Sequence, residues 1–298
     1  MGNKTNKKNQ SGLSSYFQEL NVNAPLFDEL EKDPAWWRKL REDKDLYINV
    51  RKDNYINVYY RGASVMKLCY KEQRFEAEIH NNYLGVDKDV AETLAVPYGV
   101  ERLPPEKIVA MLETIKYRIR KNKKNKRLPE TEIDDDETAS EKFIQSEEYK
   151  KGYYLDTEFA VKLDGGGTIR IDLVGVDDFG KIQFVELKRV QDSRLIQSEI
   201  VEQMSNYKSF LEEAGKNVIV DYYNDVLSIM KRIGICPKHI LCDKISGVND
   251  DVELMVTKYK KKGKTSGRLE RLKEIKKICD ENNIKSNIDE VLADYESI

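Results

Sequence analysis

Residues 168–188 read TIRIDLVGVDDFGKIQFVELK, and this stretch decides the fold of the second half of the chain. Apolar and polar residues alternate on both sides of the Asp-Asp-Phe-Gly segment at 177–180, which predicts two strands joined by a tight turn. Asp172 falls on the first strand, whereas Glu186 and Lys188 are two residues apart on the second and therefore point to one face. The pattern predicts that two carboxylates and an ammonium group converge.

Such a group of side chains has a use in phosphodiester chemistry. Hard divalent cations such as Mg²⁺ bind one or two carboxylates together with phosphate and water, and they activate water for hydrolysis. A lysine beside the ion can orient or deprotonate the attacking water. The tripeptide Glu-x-Lys alone is uninformative, because it also occurs at 42–44, 148–150 and 274–276. Glu186 differs because it lies on a predicted strand; the alternative is an ordinary charge pair across two strands.

A helix is predicted directly after this hairpin. Between residues 198 and 213, apolar residues recur at helical spacing, at Ile200, Val201, Met204, Tyr207, Phe210 and Leu211. Gln203 and Tyr207 are four residues apart, so they are neighbours on one face of this helix. The simpler interpretation of this pair is a polar residue at the rim and an aromatic residue in the core.

With these residues in place, the chain resembles the PD-(D/E)XK nuclease superfamily over about residues 137–215. The similarity is to the branch with Glu on a helix, Asp on a strand, Glu-x-Lys on the next strand and Gln-x-x-x-Tyr on a following helix. Nuclease domains of the mismatch-type and RecB-like DNases are the most similar members. The resemblance implies cleavage of DNA and a site for Mg²⁺ or Mn²⁺ formed by Asp172, Glu186 and Leu187.

The same resemblance assigns roles to the neighbouring residues. Lys188 would serve the attacking water, and Gln203 and Tyr207 would orient this lysine or contact a phosphate. A glutamate on the helix before the first core strand would complete the catalytic set. Four residues compete for that position, namely Glu137, Glu141, Glu147 and Glu148. We select Glu141, because it lies one turn before an apolar residue at the start of the helical pattern; a solvated helix residue is the alternative.

Composition limits the classes of protein to which this chain can belong. Its 298 residues include 51 Lys and Arg against 53 Asp and Glu, so the net charge of −2 provides no overall attraction to nucleic acid. The mean hydropathy is −0.67, and the chain has neither an apolar run that could cross a membrane nor a secretory signal. We therefore expect a cytoplasmic protein with no membrane partner.

The four cysteines are scattered, which favours reduced thiols over a disulfide framework. Cys236, His239 and Cys242 have a spacing that would suit zinc only if a fourth ligand joined them. A predicted strand at 239–241 places His239 and Cys242 on opposite faces, which disfavours zinc.

The N-terminal half has a different pattern. A polar tail precedes an amphipathic helix at 26–40, which contains both tryptophans. Four alternating segments, at 46–51, 55–61, 64–70 and 74–80, predict an antiparallel meander. The polar side of this sheet carries basic residues and tyrosines, Arg51, Lys52, Tyr55, Tyr59, Tyr60, Arg61, Lys67, Tyr70, Lys71 and Arg74. This face could bind nucleic acid through phosphate contacts and stacking, and an ordinary solvated face is the alternative.

We therefore predict an α/β fold with an N-terminal antiparallel β-sheet domain and a C-terminal restriction-endonuclease-like core, in which helices flank a mixed sheet. The predicted divisions are a disordered tail at 1–15, the β-rich domain at 16–103, a helix and charged linker at 104–136 and the nuclease domain at 137–298. Further predicted elements are a helix at 104–120, a glycine turn at 165–167, strands at 218–220, 239–241 and 252–257, and helices at 224–233 and 266–282.

Nucleic acid, with DNA preferred to RNA, is the expected partner. Basic runs at 118–127 and 258–264 are the segments that could bind a phosphate backbone; solvated linkers are the alternative. A homodimer would offer two active sites to two strands. Endonuclease and exonuclease action, and roles in repair, restriction or phage defence, all remain open, as does a rival function in which the fold binds nucleic acid without cleaving it.

Overall fold

The computed structural model describes residues 20–86, 99–121, 141–162, 167–213, 215–258 and 265–297. Within these residues the chain forms a mixed α/β fold with two five-stranded sheets, the first antiparallel and the second mixed. The predicted α/β class, the N-terminal antiparallel sheet and the helix-flanked mixed sheet are confirmed. None of the described helices is both long enough and apolar enough to cross a membrane.

The N-terminal sheet is a meander in which each strand pairs with the next along the chain. Its strands are β1 (Leu46–Arg51), β2 (Tyr55–Tyr60), β3 (Ala63–Lys71), β4 (Arg74–His80) and β5 (Val100–Leu103). The first four confirm the predicted meander. Strand β5 was not predicted, because its Val-Glu-Arg-Leu sequence is short and has no buried apolar face.

Two short helices, α1 (Pro25–Glu31) and α2 (Ala35–Glu42), precede this sheet. The prediction of one helix at 26–40 is therefore wrong. Asp33 has a φ of 55°, and a residue that precedes proline is disfavoured in the helical region, so Pro34 prevents the helix from continuing. The predicted helix at 104–120 is also present as two consecutive pieces, α3 (Pro105–Ala110) and α4 (Leu112–Lys121).

The second sheet begins after helix α5 (Glu141–Lys150). Its strands are β6 (Tyr154–Lys162), β7 (Thr168–Val176), β8 (Lys181–Lys188), β9 (Gly247–Val248) and β10 (Glu253–Val256). Strands β6, β7 and β8 are antiparallel, whereas β9 and β10 both pair with β8 in parallel. The predicted strands on either side of the 177–180 turn, and the strand at 252–257, are confirmed.

Four further helices complete the described part of the second half: α6 (Ser198–Glu213), α7 (Lys216–Arg232), α8 (Ser266–Glu281) and α9 (Ile288–Ser297). The predicted strand at 218–220 is wrong, because these β-branched residues lie inside α7, where tertiary packing overrides their local preference. The predicted strand at 239–241 is also absent; there the His239 ring stacks on Tyr153 with ring centroids 4.5 Å apart. Helix α9 was not predicted.

The two halves share one apolar cluster that includes residues of both sheets. The prediction of an exposed basic and aromatic face on the N-terminal sheet, either binding nucleic acid or simply solvated, is partly wrong, because Tyr59, Tyr60 and Arg61 are buried. Arg51, also largely buried, forms an ion pair with Asp156 of β6. Arg51 and Arg61 therefore find partners in the second half, whereas Tyr60 accepts a hydrogen bond from Arg120 of α4.

Several predictions fall partly or wholly on residues that are not described. The tail at 1–15 and two residues of the glycine turn, Gly165 and Gly166, lie outside the described residues. The same is true of 122–127 in the first basic run, 122–136 in the predicted linker and 259–264 in the second basic run.

Candidate active site

The site lies where strands β7 and β8 stop pairing. Their last paired residues toward the open end of the hairpin are Leu173 and Val185. Asp172 and Glu186 come immediately after this pair. Instead of continuing the backbone ladder, the Leu187 N–H donates a hydrogen bond of 2.9 Å to the Asp172 carboxylate oxygen Oδ2.

The Glu186 carboxylate is held by three donors. Lys188 Nζ and Gln203 Nε2 both donate to Oε1, the amide at 2.8 Å, and the Tyr207 hydroxyl lies 3.0 Å from Oε2. Glu186 and Lys188 are each only 3% exposed. A buried charge is tolerated when it is paired and its remaining lone pairs are hydrogen-bonded, and Glu186 meets both conditions.

Helix α6 supplies the last two of these donors from successive turns. Gln203 Nε2 lies 2.6 Å from the Tyr207 oxygen, which lies in turn 2.5 Å from the Arg170 carbonyl oxygen. A phenol has one proton, so Tyr207 can donate at any moment either to Arg170 or to Glu186. Burial and then the Glu186 charge raise the pKa of Tyr207 well above its usual value, which keeps this proton on the ring. The residues predicted to converge, Asp172, Glu186, Lys188, Gln203 and Tyr207, are all brought together.

Asp172 is also electrostatically perturbed. Burial, followed by the nearby charge of Glu186, raises the pKa of Asp172 to about 7. The Leu187 N–H and the Lys188 ammonium act in the opposite direction but do not offset these two causes. Two carboxylates held close together with little water disfavour full ionisation, so an added positive charge would stabilise them.

Glu141 occupies the rim of the same cleft. It begins helix α5, its side chain is 48% exposed, and its Oε1 lies 3.6 Å from Arg194 Nη2. Glu147 and Glu148 instead form ion pairs with Lys150 and Lys151 at and just beyond the end of the same helix. Of the three competing glutamates that are described, only Glu141 therefore lines the cleft; the fourth, at position 137, is not described.

The donor set fits a hard divalent cation. No group of three or more His, Cys, Asp or Glu side chains in the described ranges is close enough to hold a metal. Mg²⁺ does not need such a group, because it keeps several waters and uses one or two carboxylates. The Leu187 side chain packs with Phe143 and Ile144, so only its main-chain carbonyl could join Asp172 and Glu186 as a ligand.

The cleft has a volume of about 630 Å³ and contains residues that the sequence did not single out. They are mostly polar and comprise Thr168, Ile169, Arg170, Arg194, Glu199, Glu202 and Asn206. Glu199 could have been recognised by spacing, because it is four residues before Gln203 on the same helix. Arg194 follows the hairpin in a short 3-10 helix at Ser193–Ile196, and no sequence signal marks it.

Helix α5 makes a further contact that the sequence did not predict. The buried Gln145 side chain donates through Nε2 to the main-chain carbonyl oxygen of Asp172 at 2.5 Å. Gln145 is one turn after Glu141, so one helix contributes both a carboxylate at the rim of the cleft and a buried contact to β7. Comparison with known proteins adds nothing to this geometry, because no family model, curated protein or solved structure matches the chain.

Proposed function

We propose that this protein is a metal-dependent nuclease of the PD-(D/E)XK type that hydrolyses phosphodiester bonds of DNA. The observation that supports the proposal is the convergence of Asp172, Glu186 and Lys188 at the open end of one hairpin. Residues Gln203 and Tyr207 approach Glu186 from helix α6. Isolated Glu-x-Lys sequences elsewhere in the chain lack this surrounding set of contacts.

Asp172, Glu186 and the Leu187 carbonyl would hold Mg²⁺ or Mn²⁺. When bound, the ion would supply activation of water and neutralisation of the charge that develops on the phosphate. The Glu186 carboxylate accepts hydrogen bonds from Lys188, Gln203 and Tyr207, and the Leu187 N–H orients the Asp172 carboxylate. These contacts arrange the oxygen ligands in advance, so little reorganisation is needed at the time of reaction.

Lys188 would act on the attacking water. Its ammonium group donates to Glu186 Oε1, which directs the amine toward the cleft that it lines. From there it can orient the attacking water by hydrogen bonding. A lysine performs this role only when its position is fixed, and burial to 3% exposure together with the ion pair fixes Lys188.

The charge of the cleft makes substrate binding depend on a cation. Five carboxylates line it, those of Glu141, Asp172, Glu186, Glu199 and Glu202, against three cationic side chains, those of Arg170, Lys188 and Arg194. With every group ionised, this cleft repels a phosphodiester. A divalent ion would remove the excess of negative charge, so we expect nucleic acid to bind this cleft weakly when EDTA is present.

The remaining affinity would come from basic residues outside the cleft. We place it in the runs at 118–127 and 258–264, within a homodimer that presents two active sites to two strands. Each cation that neutralises a phosphate of duplex DNA contributes a slope of about −0.9 to the logarithmic dependence of affinity on salt. A steep slope is therefore expected although the chain has a net charge of −2.

The deciding experiment is cleavage by the purified protein of circular and linear DNA, single- and double-stranded, and of RNA. Reactions contain Mg²⁺, Mn²⁺ or EDTA. We expect the parent to cleave DNA only with a metal, and Asp172→Asn and Glu186→Gln to lose this activity while remaining folded. Asp178→Asn, an exposed carboxylate in the turn of the same hairpin, is the matched control and should cleave normally.

The alternatives correspond to distinct outcomes. Full activity in both cleft variants would exclude the proposed site. Metal-dependent cleavage confined to RNA would assign the substrate to the alternative class. Tight binding of nucleic acid without cleavage under any metal condition would favour the non-catalytic module.

A further inference from the structure

Asp172 lies at an interruption of the sheet on both sides. Toward β8, backbone pairing ends at the preceding pair, Leu173 with Val185. Toward β6, the residue opposite Asp172 is Glu158, which is skipped in the pairing of the two strands. Asp172 therefore lies within β7 but is not paired with a residue of either adjacent strand.

The interruption on the β6 side has a visible cause. Glu158 adopts a φ of 57°, a left-handed conformation that is uncommon for a residue with a side chain. Its carboxylate pairs with Lys142 Nζ at 2.8 Å. Glu158 is thus directed to helix α5, and the ladder opens at the position of the catalytic aspartate.

Gln145 supplies a contact in place of the interrupted ladder. Its side chain is 4% exposed, and its amide Nε2 donates to the Asp172 carbonyl oxygen at 2.5 Å. A carbonyl removed from water without a donor is costly, so this contact stabilises the strand where its ladder is interrupted. It also ties the backbone of Asp172 to a helix that is 27 residues away in sequence.

We infer that Gln145 is a positioning residue for Asp172, and that the N-terminal sheet braces the helix that carries it. The catalytic consequence of this inference rests on the proposed nuclease function. The positioning itself does not, because it concerns only where the Asp172 backbone and carboxylate are held. With Gln145 in place, the Asp172 carboxylate stays within hydrogen-bonding distance of the Leu187 N–H.

The bracing contacts lie along helix α5. The Tyr149 hydroxyl donates to the Ile48 carbonyl oxygen of β1 at 3.1 Å, and the Arg61 guanidinium lies 4.5 Å from the centroid of the Phe143 ring. Gly62 approaches so closely that a Cβ on it would lie 2.6 Å from the Lys142 carbonyl oxygen. These contacts give the N-terminal sheet a role in the geometry of the catalytic strand.

The test compares Gln145→Met with Ser146→Ala. Methionine keeps the length of the side chain but has no donor, whereas Ser146 is a similarly buried neighbour whose hydroxyl donates within its own helix, to the Phe143 carbonyl oxygen at 2.9 Å. The first readout is amide hydrogen exchange at Leu187, measured relative to the amide of Val185 in the paired part of the same strand. This readout needs neither metal nor substrate.

We expect Gln145→Met to accelerate exchange at Leu187 more than at Val185, and Ser146→Ala to leave their ratio unchanged. A loss of global stability alone would accelerate both amides by the same factor. Tyr149→Phe removes the hydroxyl that reaches β1 and should produce a smaller change of the same kind. An unchanged exchange ratio in Gln145→Met would overturn the inference.

The second readout is the binding of Mn²⁺ alone, followed by calorimetry, together with kcat and KM for a DNA substrate. We expect Gln145→Met to weaken Mn²⁺ binding and lower kcat about tenfold with little change in KM, because the metal ligand is displaced while the surface that binds substrate is intact. Equal Mn²⁺ affinity and kcat in the parent and in Gln145→Met would also overturn the positioning role. A parent that neither binds Mn²⁺ nor cleaves would refute the proposed function, and the exchange ratio would still decide whether Gln145 positions Asp172.

Discussion

The two ends of the β7–β8 hairpin are constructed in opposite ways. At the closed end, Asp177 Oδ1 accepts hydrogen bonds from the N–H groups of Phe179 and Lys181, at 2.9 and 2.8 Å, and Gly180 has a φ of 72°. At the open end, Asp172 and Glu186 are contacted by side chains from α5 and α6. The turn at the closed end is formed by hydrogen bonds between residues close in sequence, to which Ser246 and Asn249 add contacts, whereas the open end is held by side chains of distant helices.

The difference extends to the electrostatics of the two aspartates. Burial acts to raise the pKa of Asp177, but hydrogen bonds from Asn249 and from two backbone N–H groups bring it below the usual value. Burial and a neighbouring carboxylate raise the pKa of Asp172 to about 7. The two aspartates of this hairpin therefore have different roles: Asp177 stabilises the turn at one end, and Asp172, by our proposal, binds a metal ion at the other.

Among the variants that keep both carboxylates, the largest expected effect is that of Lys188→Met at the open end. Loss of the ammonium group should lower kcat by about 10²–10⁴-fold, because a positioned proton-handling group contributes about that much. Calorimetry should still detect Mn²⁺ binding, since the carboxylates remain. Lys181→Met, an exposed lysine at the closed end of the same strand, is the control. An unchanged kcat in Lys188→Met would remove this lysine from the mechanism.

The second prediction concerns the pH dependence of stability without metal. Because the folded-state pKa of Asp172 is about 7, above the usual value of 3.8, the folded protein keeps this proton where the unfolded chain has lost it. The contribution of Asp172 to the free energy of unfolding is therefore greatest below pH 4 and falls as the pH rises to about 7. The expected loss is about 1.4 kcal/mol per pH unit within this window.

Urea unfolding in EDTA between pH 4.5 and 8 measures this dependence. The parent should lose stability relative to Asp172→Asn as the pH rises, and the difference should level off above pH 7. Addition of Mg²⁺ at pH 8 should raise the free energy of unfolding of the parent but not that of Asp172→Asn. Parallel pH profiles of the two proteins would show that Asp172 ionises normally.

A smaller effect is expected from Tyr207→Phe, which removes only a hydroxyl group. That group lies 3.0 Å from Glu186 Oε2 and 2.5 Å from the Arg170 carbonyl oxygen. A hydrogen bond to a charged group contributes about 1.5 kcal/mol, so kcat should fall about tenfold. Tyr117→Phe, at a tyrosine that is 54% exposed, provides the control for the loss of a phenol. Equal kcat values for the two variants would mean that Tyr207 has only a packing role.

The smallest expected effect comes from a substitution at the closed end of the hairpin. Gly180→Ala should lower the free energy of unfolding by about 1 kcal/mol, because the left-handed conformation is unfavourable for a residue with a Cβ. The added Cβ meets its nearest atom, Cys242 Cβ, at 3.6 Å, so no steric clash adds to this cost. Unfolding by urea measures the loss, and kcat should not change. A reduced affinity for Mn²⁺ in Gly180→Ala would show that the two ends of the hairpin are coupled.

The accuracy of the sequence predictions follows the same contrast between local and distant determinants. Strands β7 and β8, their turn and helix α6 were predicted because their patterns of apolar residues repeat over a few positions. The strand predicted at 218–220 was wrong, because a local preference of β-branched residues was weaker than the packing of the whole of α7. Helix α1–α2 was predicted as one element, although Pro34 was a local signal for the break.

What the sequence by itself determined is the order of chemistry-bearing residues along strands and helices: Asp172, then Glu186 and Lys188 two residues apart, then Gln203 and Tyr207 four residues apart. These relations depend on backbone periods of two and 3.6 residues, which need no knowledge of the rest of the chain. Only the tertiary structure decided which described glutamate of α5 lines the cleft, that Gln145 contacts the Asp172 backbone, and that Asp172 has a raised pKa. Burial, desolvation and hydrogen bonds between segments far apart in sequence produce these properties, and no local pattern encodes them.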